Sequence, residues 1–222
     1  MAVFTISLNQ FIEASKATPK AKLRIVQQLI EVNKFLTPWY QLAKNRIKIY
    51  LKDVSNIGVL KKAIQDLQNK PIKDDKAKNN IKVSIEAIHK VIGMHFENIL
   101  VNGYKVIEPD QKNVQIEDVN INVNPDLVYK YLEDGIMKVG AIKFHVSKSK
   151  PFDLQQSKHI SNILSIYLKE KVVNGGEIVD PKLCWAYDVF TDRLIHADQD
   201  ASLTAIQAKK LSLELIEIYK QI

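Results

Sequence analysis

The stretch Asn124-Pro125-Asp126-Leu127-Val128-Tyr129-Lys130-Tyr131-Leu132-Glu133-Asp134-Gly135-Ile136-Met137-Lys138-Val139-Gly140-Ala141-Ile142-Lys143-Phe144-His145 decides the fold. Asp134-Gly135 suits a type I′ turn, whose two central residues need a positive φ that Asp tolerates and Gly adopts freely. The flanking runs Leu127 to Leu132 and Ile136 to Val146 are rich in β-branched and aromatic residues and read as two strands of one hairpin. A two-residue turn also sets the register, because residues equally far from the turn face each other. Asp126 lies eight positions before Asp134, and Lys143 lies eight positions after Gly135. They are therefore predicted to oppose each other on one face of the sheet. His145, two residues further on, falls on the same face as Lys143.

Working outward, Val114, Ile116, Ile121 and Val123 predict a strand around 114–124, with a bulge near Asp118-Val119 where the alternation breaks. Downstream, Ser147 to Pro151 is a loop and Asp153 caps a helix to about Lys171. Leu183 to Phe190 and Leu194 to Ala197 are strands joined by a turn at Thr191-Asp192, and Ser202 opens a last helix. The first hundred residues read as helices. Ser7 caps Leu8 to Ser15, and Thr18-Pro19 opens a helix to about Lys34. Thr37-Pro38 opens a third, Trp39 to about Lys52, and Ser55 or Asn56 a fourth to about Lys70. Asp74-Asp75 precede a fifth, whose apolar residues from Ile81 to Ile99 keep helical spacing to about Asn98. The expected class is α+β: an all-helical N-terminal half, then a mixed or antiparallel sheet of about five strands flanked by helices. From the fifth helix onward the core order is αβββαβ. The expected division is a basic helical subdomain over 1–72 and an α+β domain over 73–222.

The chain has 222 residues, 46% of them hydrophobic, with a net charge of +7. That composition suits a folded protein with a substantial core. The lone Cys184 excludes an intramolecular disulfide and a Cys-rich zinc site, and points to a reducing compartment. No apolar run reaches the ~18–20 residues of a membrane span. Met1-Ala2-Val3-Phe4 lacks the basic lead of a signal peptide, so a cytoplasmic location is expected. Glycine-rich phosphate loops, Ser-centred nucleophile elbows and dinucleotide fingerprints are absent, which disfavours nucleotide-dependent chemistry. His89 and His95 are six apart and lack the i,i+4 spacing of a helical zinc pair.

Charge is unevenly shared. Residues 1–100 carry 17 Lys and Arg against 8 Asp and Glu, whereas residues 101–222 carry 15 against 17. The basic first half points to a polyanionic partner, DNA or RNA, or alternatively an acidic protein. Tyr40, Lys44, Lys48 and Lys52 recur every four residues and form one stripe on the third helix. With Lys20 and Arg24, and with Lys61 and Lys62, they are the candidate phosphate-tracking residues. The plainer reading of the stripe is the solvated side of an amphipathic helix.

The element order, together with Asn124-Pro125-Asp126-Leu127 on the second strand and Gly140-Ala141-Ile142-Lys143-Phe144 on the third, resembles the restriction-endonuclease-like (PD-(D/E)XK) core. That resemblance implies a divalent-metal site in which Asp126 would hold Mg²⁺ and Lys143 would stabilise the attacked phosphate. His145, by its place on the face of Lys143, is a candidate to shuttle protons or bind phosphate, with a plain packing role as the alternative. The resemblance also exposes a departure, since the second acid of the motif would stand at position 141, which is Ala141. Glu86, Glu97 and Asp118 are the acids that would have to substitute. Gln156-Ser157-Lys158-His159 loosely resembles a Gln-x-x-His site of some nuclease branches. The chain is also similar to a family of uncharacterised bacterial proteins, through Lys22-Leu23-Arg24-Ile25-Val26, Tyr40, Val123-Asn124-Pro125-Asp126-Leu127 and Ile142-Lys143-Phe144. The expectation is a nucleic-acid-associated protein with a degenerate, inactive nuclease-like site and no cofactor. The alternatives are an accessory or immunity-type interaction subunit, and a Mg²⁺-dependent nuclease with a migrated acid.

Overall fold

The computed structural model describes residues 2–30, 40–100 and 103–222. The elements run β1 (Phe4–Ser7), α1 (Leu8–Ser15), α2 (Pro19–Ile30), α3 (Gln41–Lys52), α4 (Gly58–Gln68) and α5 (Asp75–Gly93). They continue with β2 (Lys105–Val106), β3 (Asn113–Ile116), β4 (Val119–Asn122), β5 (Leu127–Glu133) and β6 (Ile136–His145). The last are α6 (Leu154–Lys171), β7 (Ile178–Asp188), β8 (Arg193–His196) and α7 (Ser202–Lys220). The class is α+β, and no helix among the described residues is long and apolar enough to cross a membrane.

The capping chemistry matches the residues. Ser7 and Gln10 form a capping box on α1, as do Asp153 and Gln156 on α6, and Asp74 accepts from the Ala77 amide at the start of α5. The predicted start of the third helix at Thr37-Pro38-Trp39 lies outside the described residues.

The main sheet has five strands in the order β2-β5-β6-β7-β8, and β1, β4 and β3 form a separate three-stranded sheet. The hairpin register agrees with the turn argument: Leu127 pairs with Ile142 and Glu133 with Ile136 across Asp134-Gly135, both at positive φ. β6 and β7 run parallel and are linked by α6. One face of the sheet, including Val128, Ala141 and Cys184, packs against α6 residues such as Ile160, Leu164 and Tyr167. The other face, including Tyr129, Ile142 and Phe144, packs against residues of α3, α4 and α5 such as Ile47, Leu60 and Ile88. Residues before 73 contribute to both clusters, through Phe4 and Phe11 in the first and Ala43 and Leu60 in the second.

Four readings are corrected. Phe4–Ser7 is a strand, paired in parallel with Val119–Asn122, although the first hundred residues read as helical. Residues 114–124 form a tight hairpin with Glu117 at φ 51, where a single bulged strand was expected, and this hairpin belongs to the smaller sheet. The neighbour of β5 in the main sheet is instead the two-residue β2. The fifth helix stops at Gly93; Phe96 and Ile99 keep the apolar spacing but lie in and after a 3₁₀ turn entered through His95 at φ 53. β7 starts five residues earlier than Leu183, and Pro181 lies within it.

β6 and β7 approach each other closely at Gly140. The register between them slips between Val139 and Ala141, so that Val139 faces Val179 but Ala141 faces Cys184. A Cβ on residue 140 would stand 2.5 Å from Leu183 Cβ and 2.6 Å from the Leu183 carbonyl oxygen, both closer than van der Waals contact allows. The same carbonyl accepts the buried Tyr129 hydroxyl at 3.0 Å. The backbone cannot retreat without losing that bond. Gly140→Ala is accordingly expected to destabilise the fold by about 1–3 kcal/mol, as overpacking does. A lowered urea midpoint at unchanged slope is the expected readout; a midpoint equal to wild type would mean the contact is not rigid.

Candidate functional site

Asp126 and Lys143 end up where the hairpin register sends them. Lys143 Nζ lies 3.9 Å from Asp126 Oδ2, and the two side chains are 13% and 9% exposed. The carboxylate is heavily engaged. Its Oδ2 accepts from the Phe144 backbone amide at 2.7 Å, and its Oδ1 meets Lys48 Nζ from α3 at 2.9 Å. Asp126 also ties its own amide to the Ile142 carbonyl, extending the β5–β6 ladder by one rung. Lys143 Nζ donates to the Asn124 carbonyl at 2.6 Å. Asn124 is at φ 39, a left-handed conformation that Asn accepts more readily than most residues, and turns that carbonyl toward the lysine.

Around this pair lies a cavity of about 200 Å³ lined by Asn9 of α1, by Gln41, Lys44, Asn45 and Lys48 of α3, and by Asp126 and Lys143 of the hairpin. Lys44 is the notable member. Its ammonium is partly buried, yet it makes no hydrogen bond or ion pair with any described residue. Burial holds its pKa below the usual lysine value, Asp126 partly offsets this, and Lys48 adds to the depression. Burial also pushes the Lys143 pKa down, against the pull of Asp126 and with Lys48 and Lys44 adding to the depression. Three ammonium groups thus answer to one carboxylate, an excess of two positive charges in a small, half-dry space. Asn9 Oδ1, from another lining residue, is buried without a partner.

The arrangement does not suit a divalent metal. Mg²⁺ is usually held by one or two carboxylates besides its waters and phosphates. Here both Asp126 oxygens have partners, and position 141 carries a fully buried alanine packed into the α6-facing core. Among the described residues no group of three or more His, Cys, Asp and Glu side chains could hold a metal ion. The acids that would have to migrate lie away from the cavity. Glu86 pairs with Lys148, Glu97 accepts from His95 and Tyr50, and neither they nor Asp118 line the cavity.

The remaining sequence candidates divide. His145 is on the predicted face but is used structurally: its Nε2 lies 2.7 Å from the Lys150 carbonyl and its ring stacks on Phe152 at 3.7 Å between centroids. Burial lowers its pKa, so at neutral pH it is an uncharged packing group. Of the α3 stripe, Lys44 and Lys48 reach the cavity, whereas Lys52 is exposed and pairs with Glu108 at 2.6 Å. Lys61 and Lys62 are exposed on α4. Lys20 and Arg24 are exposed on α2, which packs against α1, α7 and β1. Gln156 serves its capping box and reaches the Ile12 carbonyl, while His159 lines a different cavity with Lys16, Lys22 and Gln207.

Sequence reasoning missed the amides. Gln41 and Asn45 could have been found, since with Lys44 and Lys48 they occupy i, i+3, i+4 and i+7 of one helical face. Asn9 carried no such signal.

A depressed lysine pKa has a definite pH signature. The cost of holding the Lys44 and Lys143 ammoniums in the fold is present in full at low pH. It is relieved as pH rises through their folded values toward the ordinary 10.5. Anion affinity follows the opposite course and is lost over that same range. Acylation of Lys44 by an amine reagent, followed by mass spectrometry against pH, should show a lower midpoint in the native protein than in the urea-unfolded chain. Coincident midpoints would rule out the desolvated ammonium. No family model and no curated protein sequence matches this chain.

Proposed function

We propose that this protein binds nucleic acid by its phosphate groups, as a non-catalytic relative in form of the metal-dependent nucleases. The reading rests chiefly on one observation, the Lys44 ammonium that is partly buried, unpaired and set beside Lys48 and Lys143. Desolvating a cation costs free energy unless a counter-charge compensates it. Asp126 is already shared by Lys48 and Lys143, so the counter-charge that suits Lys44 is an external oxyanion. Amide groups from Gln41, Asn45 and Asn9 add hydrogen-bonding capacity on the same walls. The basic first half of the chain supplies the longer-range attraction.

Catalysis is not part of the reading. A hydrolytic route through Asp126 would need its oxygens free for a metal and a second carboxylate beside Lys143, where Ala141 stands. Lys143 holds Asn124 and balances Asp126; in this reading it contributes charge to the bound phosphate and takes no part in bond cleavage.

A protein partner is the second reading. It is favoured by the exposed Leu203, Ile206 and Leu213 on the outer side of α7, a helix whose other face is buried.

Fluorescence anisotropy with a labelled single-stranded oligonucleotide tests the first reading. Binding should weaken steeply between 50 and 200 mM salt, by roughly tenfold or more for a few phosphate contacts. Lys44→Glu should lower affinity by about tenfold or more, because it replaces an attractive charge by a repulsive one inside the cavity. Lys52→Glu should change it by roughly threefold or less, as expected of an exposed, already paired lysine. No cleavage should accompany binding when Mg²⁺ or Mn²⁺ is added. Absence of binding at 50 mM salt, or equal effects of the two substitutions, would remove the cavity from the argument.

A further inference from the structure

Resting on that reading, we infer that the cavity takes the terminal phosphomonoester of a nucleic-acid strand in preference to an internal phosphodiester. At about 200 Å³ the space holds roughly seven waters' worth of volume, below the ~300–1,000 Å³ of pockets that enclose a drug-sized ligand. It suits a phosphoryl group with part of its hydration and excludes a whole nucleotide. An internal phosphate is flanked by sugars on both sides and enters such a recess poorly, whereas a chain end enters with one sugar behind it.

Lys44, Lys48 and Lys143 against Asp126 leave an excess of two positive charges. A phosphomonoester carries about −1.5 to −2 at pH 7, with a second pKa of about 6. A phosphodiester carries a single negative charge. The monoester dianion neutralises the excess; the diester leaves one desolvated ammonium uncompensated.

Lys44 also lines a second cavity, of about 620 Å³, with Tyr40, Asn79, Lys82, Ser147 and Ser149. A terminal phosphate seated against Lys44 would have the first nucleoside's worth of space beside it, on the surface between α5 and the loop after β6. The small cavity then reads the end, and the larger one takes the chain that follows.

The test uses the intact protein and four versions of one internally labelled oligonucleotide, bearing a 5′-phosphate, a 3′-phosphate, both, or hydroxyls at both ends. At pH 7.5 and constant salt, at least one end-phosphorylated strand should bind about tenfold or more tighter than the hydroxyl-terminated strand. The preference should shrink as pH falls to 5.5, where the monoester dianion takes up a proton and becomes a monoanion. At equal ionic strength, inorganic phosphate should displace the end-phosphorylated strand more than chloride does; equal displacement would overturn the phosphate assignment. Lys44→Gln should abolish the preference, with its thermal unfolding checked against wild type; the phosphate competition needs no variant and stands if that protein fails to fold. Equal affinity for all four strands, or a preference indifferent to pH, overturns the monoester assignment while leaving nucleic-acid binding in place. No binding to any strand overturns both.

Discussion

A carboxylate at the end of an antiparallel pair holds this molecule's most unusual region together. Asp126 closes the β5–β6 ladder by accepting the Phe144 amide and donating its own to Ile142, and it also fixes Lys48 of α3 against the sheet. One side chain therefore joins a helix of the first half to a hairpin of the second. It does so in a place where three ammonium groups converge, and where loss of the single negative charge would leave all of them repelling one another. The positioning of Lys44 depends on this arrangement, because α3 is held beside β5 in part by its Lys48 contact.

The register that brings Asp126 to Lys143 was legible because Asp134-Gly135 is a strong local signal and strand pairing propagates it without further information. The helical stripe containing Lys44 and Lys48 was legible for the same reason, as a periodicity. What the sequence did not carry was the docking of that stripe on the hairpin, since no local pattern records which helix face meets which strand end. Asn9 illustrates the limit: it lines the cavity from α1, more than a hundred residues before Asp126, and nothing near it marks the role.

The misread elements have equally specific causes. Phe4-Thr5-Ile6-Ser7 alternates correctly, but four residues are too few for a period to stand out beside a well-capped helix. Glu117-Asp118 lacks the glycine that advertises a two-residue turn, so a hairpin resembled an interrupted strand. The apolar spacing of α5 continues past Gly93 because Phe96 is still needed in the core, where it packs edge-on against Phe144 and Tyr187. Burial continued, but the helix did not.

The parallel pairing of Phe4–Ser7 with Val119–Asn122 has a kinetic side. On a ribosome, the earlier of these strands emerges long before the later one exists, so it must remain unpaired while more than half of the chain is made. Helix α1, capped by Ser7, has α2 beside it from the start but meets β4 and α6 only after these later segments are made. The Asn9 wall of the cavity therefore meets its hairpin wall only after β5 and β6 have been made. A nascent chain would display the lysines of α3 well before it had any enclosure in which to use them.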